Sequence, residues 1–165
     1  DLIRSFLGDP DSVYALSTKH HLAPRLASTR STIIMNYGDL VRANIETNHG
    51  HAYGSKHQES FVKWEGTKGA IKVRLGVMLD YPKGQADQFE CVLLEEGKTP
   101  EWRTVPMEGS WFPEAFMRSM GSLISYLDGS AATLPASVED SYRTMAVVEA
   151  AYESIASGGT AVQYD

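Results

Sequence analysis

The chain has 165 residues and 42% hydrophobic content, the size and composition of one globular domain with a sizeable core. A formal charge of −6 gives no electrostatic reason to expect nucleic acid or an anionic membrane as partner, and no apolar run approaches the roughly 20 residues of a membrane helix. The single cysteine, Cys91, excludes an internal disulfide and a cysteine-based zinc site, and suggests a reducing, cytoplasmic setting.

Asp1 leads directly into Leu2-Ile3-Arg4-Ser5-Phe6-Leu7-Gly8. Leu2, Ile3, Phe6 and Leu7 recur at helical spacing, and Gly8 is a good C-terminal stop. With neither an initiator Met nor a signal-peptide pattern, the chain reads as a piece cut from something longer. Ser12 to Thr18 alternates, with Val13 and Ala15 opposite Tyr14 and Leu16, and is a predicted strand. Lys19 to Ser28 is an irregular connection that carries His20 and His21. As neighbours in an extended segment, their rings should diverge and form a surface pair. Ser31 to Tyr37 is a strand rich in β-formers, and Tyr37-Gly38-Asp39 turns it into Leu40 to Asn48. There Val41, Ala43, Ile45 and Thr47 face one way, and Arg42, Asn44, Glu46 and Asn48 the other.

After a polar loop, Glu59 to Glu65 and Ala70 to Leu75 flank Gly66-Thr67-Lys68-Gly69. This is a hairpin whose glycines stand where positive φ is needed. A short strand near Val77-Met78-Leu79, then Gln88 to Leu94 and Trp102 to Val105, extend the β content. The character then changes. Phe112, Phe116, Met120, Leu123, Ile124 and Leu127 form the stripe of a helix that starts near Pro113 and stops at Gly129. A second helix runs from Val138 to Ser157, with Ser137 and Asp140 as a capping box and Val138, Tyr142, Met145, Val148, Tyr152 and Ile155 as its stripe. Thr160 to Tyr164 could close a sheet edge.

Runs of strands followed by helices indicate α+β: a largely antiparallel or mixed open sheet with helices packed on one face. The other face is left to water or to a partner. Tyr14, Trp64 and Trp102 are bulky for a bare face and favour a subunit interface. Residues 1–165 read as a single domain.

Imidazoles, a phenol and an ammonium crowd together in the loop from Asn48 to Gln58: His49, His51, Tyr53, Lys56 and His57. Such groups bind sugar hydroxyls or carboxylates. A solvated loop, or hydrogen bonds across a subunit interface, is the competing reading. His49-Gly50-His51 could be half of a metal site, but no carboxylate or thiol lies nearby at ligand spacing. No Gly-x-Ser-x-Gly and no Gly-x-Gly-x-x-Gly stretch occurs, and Gly66 to Gly69 lies between strands rather than before a helix.

Three stretches in order resemble the Gfo/Idh/MocA oxidoreductases. Asp1 to Pro10 followed by Val13 is similar to the end of that family's His-x-x-Asp-x-x-Arg helix, its Gly, and the first strand of its C-terminal domain. Trp64 to Val73 is similar to its Gly-Thr-x-Gly turn, and Ala136 to Gly158 with Val162 resembles its closing helix and strand. The resemblance implies a C-terminal substrate and oligomerisation domain of an NAD- or NADP-dependent dehydrogenase. Its small-molecule substrate would be a sugar or polyol. The cofactor would sit in an N-terminal Rossmann domain of the parent chain, with none bound by this piece and no catalytic residue within it. Substrate contacts would fall on Tyr53, His57 and His49, and the open sheet face would build a homodimer or tetramer. A non-catalytic binding or assembly module on the same sheet is the alternative.

Overall fold

In the computed structural model, the described residues are 1–21, 23–26, 28–50, 53–54, 56–76, 79, 84–109, 114–159 and 163. Expectations for His51, Val77-Met78, Phe112, Pro113 and most of Thr160 to Tyr164 lie outside the described residues. The elements run α1 (Leu2–Leu7), β1 (Ser12–Thr18), β2 (Arg30–Tyr37), β3 (Val41–Asn48), β4 (Phe61–Gly66), β5 (Gly69–Arg74), β6 (Gln88–Leu93), β7 (Arg103–Val105), α2 (Glu114–Leu127) and α3 (Val138–Ser157). Every pairing is antiparallel, and the α+β class with open sheets is the one the residue pattern predicts. The strands fall into two ladders rather than one, ordered β1-β2-β3 and β4-β5-β6-β7. The chain divides into two compact units, Asp1–Ala52 with Pro135–Asp165, and Tyr53–Leu134.

In the first unit, alternation along each strand and the register decide which side chains share a face. Val13, Met35 and Ala43 form one row, and Ala15, Ile33 and Ile45 the next, on the inner face. Met35 is 5% exposed. The outer rows are Tyr14, Ile34, Asn44 and Leu16, Thr32, Glu46, with Tyr14, Leu16 and Ile34 exposed to solvent. Helix α3 lies against β1. Its Ser137 hydroxyl accepts the Asp140 amide at 3.3 Å, which is half of the expected capping box.

The face that α3 turns inward is not the bulky stripe. Asp140, Thr144, Val147, Ala151 and Ser154 are buried or half-buried, while Val138, Tyr142, Met145 and Tyr152 are exposed. Small side chains let the helix approach the sheet closely, near enough for the Ser154 hydroxyl to accept the Ala15 amide at 2.9 Å. Of the expected stripe only Ile155 is half-buried, and it lines a cleft together with the more exposed Val148 and Tyr152.

In the second unit, Trp64, Ile71, Cys91 and Arg103 form one row, and Val62, Val73, Phe89 and Val105 the next. The opposite face carries Lys63, Lys72 and Glu90, with the Lys72 ammonium 4.7 Å above the Phe61 ring. The hairpin turn needs positive φ at Gly69 alone. Gly66 pairs with Gly69, and a Cβ on Gly69 would collide with the Val92 carbonyl. In α2 the apolar stripe through Phe116, Met120, Ile124 and Leu127 is exposed.

Candidate functional site

One corner of the first unit gathers the ends of β1, β2 and β3. Thr29 is the hub, 2% exposed. Its amide donates to the Thr18 carbonyl at 3.2 Å, its carbonyl accepts the His49 amide at 2.8 Å, and its hydroxyl accepts the His20 amide at 2.8 Å. Asn48 Oδ1 accepts from the Gly50 amide at 3.1 Å and from Arg30 Nε at 3.3 Å. A polar loop stays folded without its own secondary structure when its backbone groups are satisfied in this way.

His20 and His21 depart from the expected surface pair. His20 is 1% exposed, and its ring stacks on that of His21 with centroids 4.4 Å apart. The segment turns rather than extending, as the Ala23 amide donating to the His20 carbonyl at 2.9 Å attests. Burial lowers the His20 pKa, and the positive charge of Arg30 and the neighbouring His21 lower it further.

Beneath α3 lies a cleft of about 190 Å³. Ile33, Met35 and Ile45 form its floor and Val147, Ala151 and Ile155 its roof, with Ser28 and Ser31 and the pair Asp1 and Arg4 supplying polar groups. Ser31 Oγ is 3.0 Å from Ser28 Oγ and 3.1 Å from Ser17 Oγ, so three hydroxyls share one hydrogen-bonded cluster. Arg4 joins α1 to α3. Its Nη1 donates to Thr144 Oγ1 at 2.7 Å and to the Asp140 carbonyl at 3.1 Å, and its Nε donates to Asp9 Oδ1 at 2.7 Å. Arg143 Nη1 reaches the other Asp9 oxygen at 2.7 Å. The hydrogen bond from Arg4 chiefly holds the Asp9 carboxyl below its ordinary range.

His49 belongs to the first unit, exposed at the end of β3. Tyr53 and His57 belong to the second, and both are exposed, Tyr53 at 82%. Lys56 is also exposed, and His51 lies outside the described residues. Among the described residues no group of three or more His, Cys, Asp or Glu is placed to hold a metal ion, and no helix is long and apolar enough to cross a membrane. The buried His20 was missed from the residue pattern. The available signal was Gly50, a residue without a side chain beside two histidines, which is where a ring from elsewhere can seat.

A family model described as the oxidoreductase family, C-terminal alpha/beta domain, of the Gfo/Idh/MocA group, matches residues 1–163. Among solved structures, an oxidoreductase from Desulfitobacterium hafniense named as NADPH-dependent is similar over 94% of this chain and 43% of its own, at 15% identity and a TM-score of 0.69. An aldose-aldose oxidoreductase from Caulobacter crescentus complexed with glycerol is similar over 95% of this chain and 42% of its own, at 17% identity and a TM-score of 0.65. The chain therefore spans less than half the length of these two structures, and at such identity the likeness is one of fold. Comparison with curated protein sequences gives no match.

Proposed function

The chain belongs to the Gfo/Idh/MocA oxidoreductase family as its C-terminal alpha/beta domain, and from that premise we propose that it is the substrate-binding and self-associating half of an NAD(P)-dependent dehydrogenase or reductase acting on a sugar, polyol or related hydroxy compound. The family match across residues 1–163 carries this reading. The names of the two structural relatives, one NADPH-dependent and one an aldose-aldose oxidoreductase with glycerol, agree with it.

Hydride transfer from a hydroxy compound needs the reacting carbon held in one orientation, and the protein supplies that by binding the remaining hydroxyls. His49, Tyr53 and His57 offer exposed imidazole and phenol groups, which both donate to and accept from hydroxyls. The described residues suit a dinucleotide poorly. A pyrophosphate seeks free amides at a helix N-terminus free of negative charge. Here Glu114 opens α2, Glu139 and Asp140 open α3, and the Ser137 hydroxyl already takes the Asp140 amide. The cofactor belongs to a preceding domain of the parent chain. Tyr14, Leu16 and Ile34 on the outer face of the first sheet suit a dimer or tetramer contact.

The test is a nuclear magnetic resonance titration of this chain with glycerol, an aldose and a linear polyol. Saturable shifts at His49, Tyr53 and His57 are expected. Shifts absent from all three, or confined to other residues, overturn the site assignment.

A further inference from the structure

The chain leaves β3 against a buried ring. His20 is the most deeply buried large side chain among the described residues, at 1% exposure. A Cβ on Gly50 would fall inside the van der Waals envelope of that ring at Cγ and Cδ2, so the imidazole rests directly on the bare backbone of Gly50. Gly50 follows His49, one of the three proposed substrate contacts, and the inference rests on that reading for its functional meaning.

We propose that His20 is a positioning residue for His49: its ring, seated on Gly50, fixes the direction in which the chain leaves β3. Three independent ties hold the seat. Thr29 binds the amides of both His20 and His49, at 2.8 Å each. Asn48 Oδ1 takes the Gly50 amide at 3.1 Å. The His21 ring stacks on His20 from its own segment, with centroids 4.4 Å apart.

Among the described residues, the groups that oppose a positive charge on the ring are Arg30 from β2 and the neighbouring His21. A protonated His20 would lose its hydration in a site that is 1% exposed and meet like charge from these neighbours. The sign follows. Above the ordinary imidazole value of about 6.5 the ring is neutral both seated and released, and the seat is at full strength. Below it the released ring takes the proton first, because the seated ring has the lower pKa, and the seat weakens as pH falls through the folded value.

The experiment is amide hydrogen exchange on this chain between pH 7.5 and pH 5, corrected for intrinsic exchange, read at His49 and Gly50, with Val92 in the other unit as an internal control. Protection at His49 and Gly50 is expected to fall about tenfold across that range while Val92 holds steady. In His20→Phe, which keeps an aromatic ring without a titratable nitrogen, the fall is expected to shrink below about twofold. Gly50→Ala is expected to lose protection at His49 at every pH, which reports on the seat even if His20→Phe fails to fold. Steady wild-type protection down to pH 5, an undiminished fall in His20→Phe, or full protection in Gly50→Ala would each overturn the proposal. No ligand enters these measurements, so a failed sugar titration overturns the substrate reading alone, and a failed exchange result overturns the positioning role alone.

Discussion

The Ser154 hydroxyl on α3 accepts the Ala15 amide of β1 at 2.9 Å. β1 is an edge strand of its sheet, so its outward amides have no strand partner. The helix supplies one from its side chain, and Ala151, one turn earlier and 6% exposed, lets it come close enough to do so. Ser154→Ala should leave that amide unsatisfied under the helix. A loss of about 1–2 kcal/mol is expected, seen as a Tm lowered by roughly 3–6 °C in a thermal melt. An unchanged Tm would mean water serves the amide equally well.

Arg4 links α1 to α3 through Thr144 and the Asp140 carbonyl, a contact that the residue spacing alone did not suggest. Asp9 is depressed below its ordinary value of 3.8, first by the Arg4 hydrogen bond. A carboxyl with a lowered folded pKa contributes stability that is complete above the unfolded value and disappears as pH falls through the folded one. Arg4→Ala should therefore lower Tm by roughly 5–10 °C at neutral pH, and the gap from wild type should narrow between pH 4 and pH 2. Parallel Tm-against-pH curves would contradict that assignment.

The two hairpin glycines should behave differently. A Cβ on Gly69 would collide with the Val92 carbonyl, which is backbone and cannot rotate away, whereas one on Gly66 meets only the Gly69 carbonyl at 3.8 Å. Gly69→Ala is expected to cost on the order of 2–3 kcal/mol and Gly66→Ala less than about 1 kcal/mol. Denaturant unfolding of both variants checks the contrast.

Leu16 stands 63% exposed on the outer face of the first sheet, beside Tyr14 on the same strand. Burial against another copy would remove this apolar surface from water. Light scattering should report a dimer or larger assembly, and Leu16→Lys should weaken it at least about tenfold while moving the monomer's Tm only slightly. A clean monomer at high concentration would remove the self-association reading.

Calorimetric titration of this chain with NADPH or NADH should register no binding, because the first turns of α2 and α3 carry Glu114, Glu139 and Asp140. Tight binding would mean that this chain itself holds the cofactor.

Alternation and helical periodicity determined most of the elements from residues alone. Ser12–Thr18, Val41–Asn48 and Val138–Ser157 fall where the patterns place them, because a strand's faces and a helix's caps are properties of a few neighbouring residues. The motifs at Asp1 to Pro10, Trp64 to Val73 and Ala136 to Gly158 were likewise enough to point to the family. What the residues could not decide is which element meets which. Two ladders instead of one, α3 turning its small face inward, and His20 buried on Gly50 all depend on contacts between segments far apart in the chain. Local pattern records what a side chain prefers, and only the tertiary fold decides which neighbour is close enough for that preference to act.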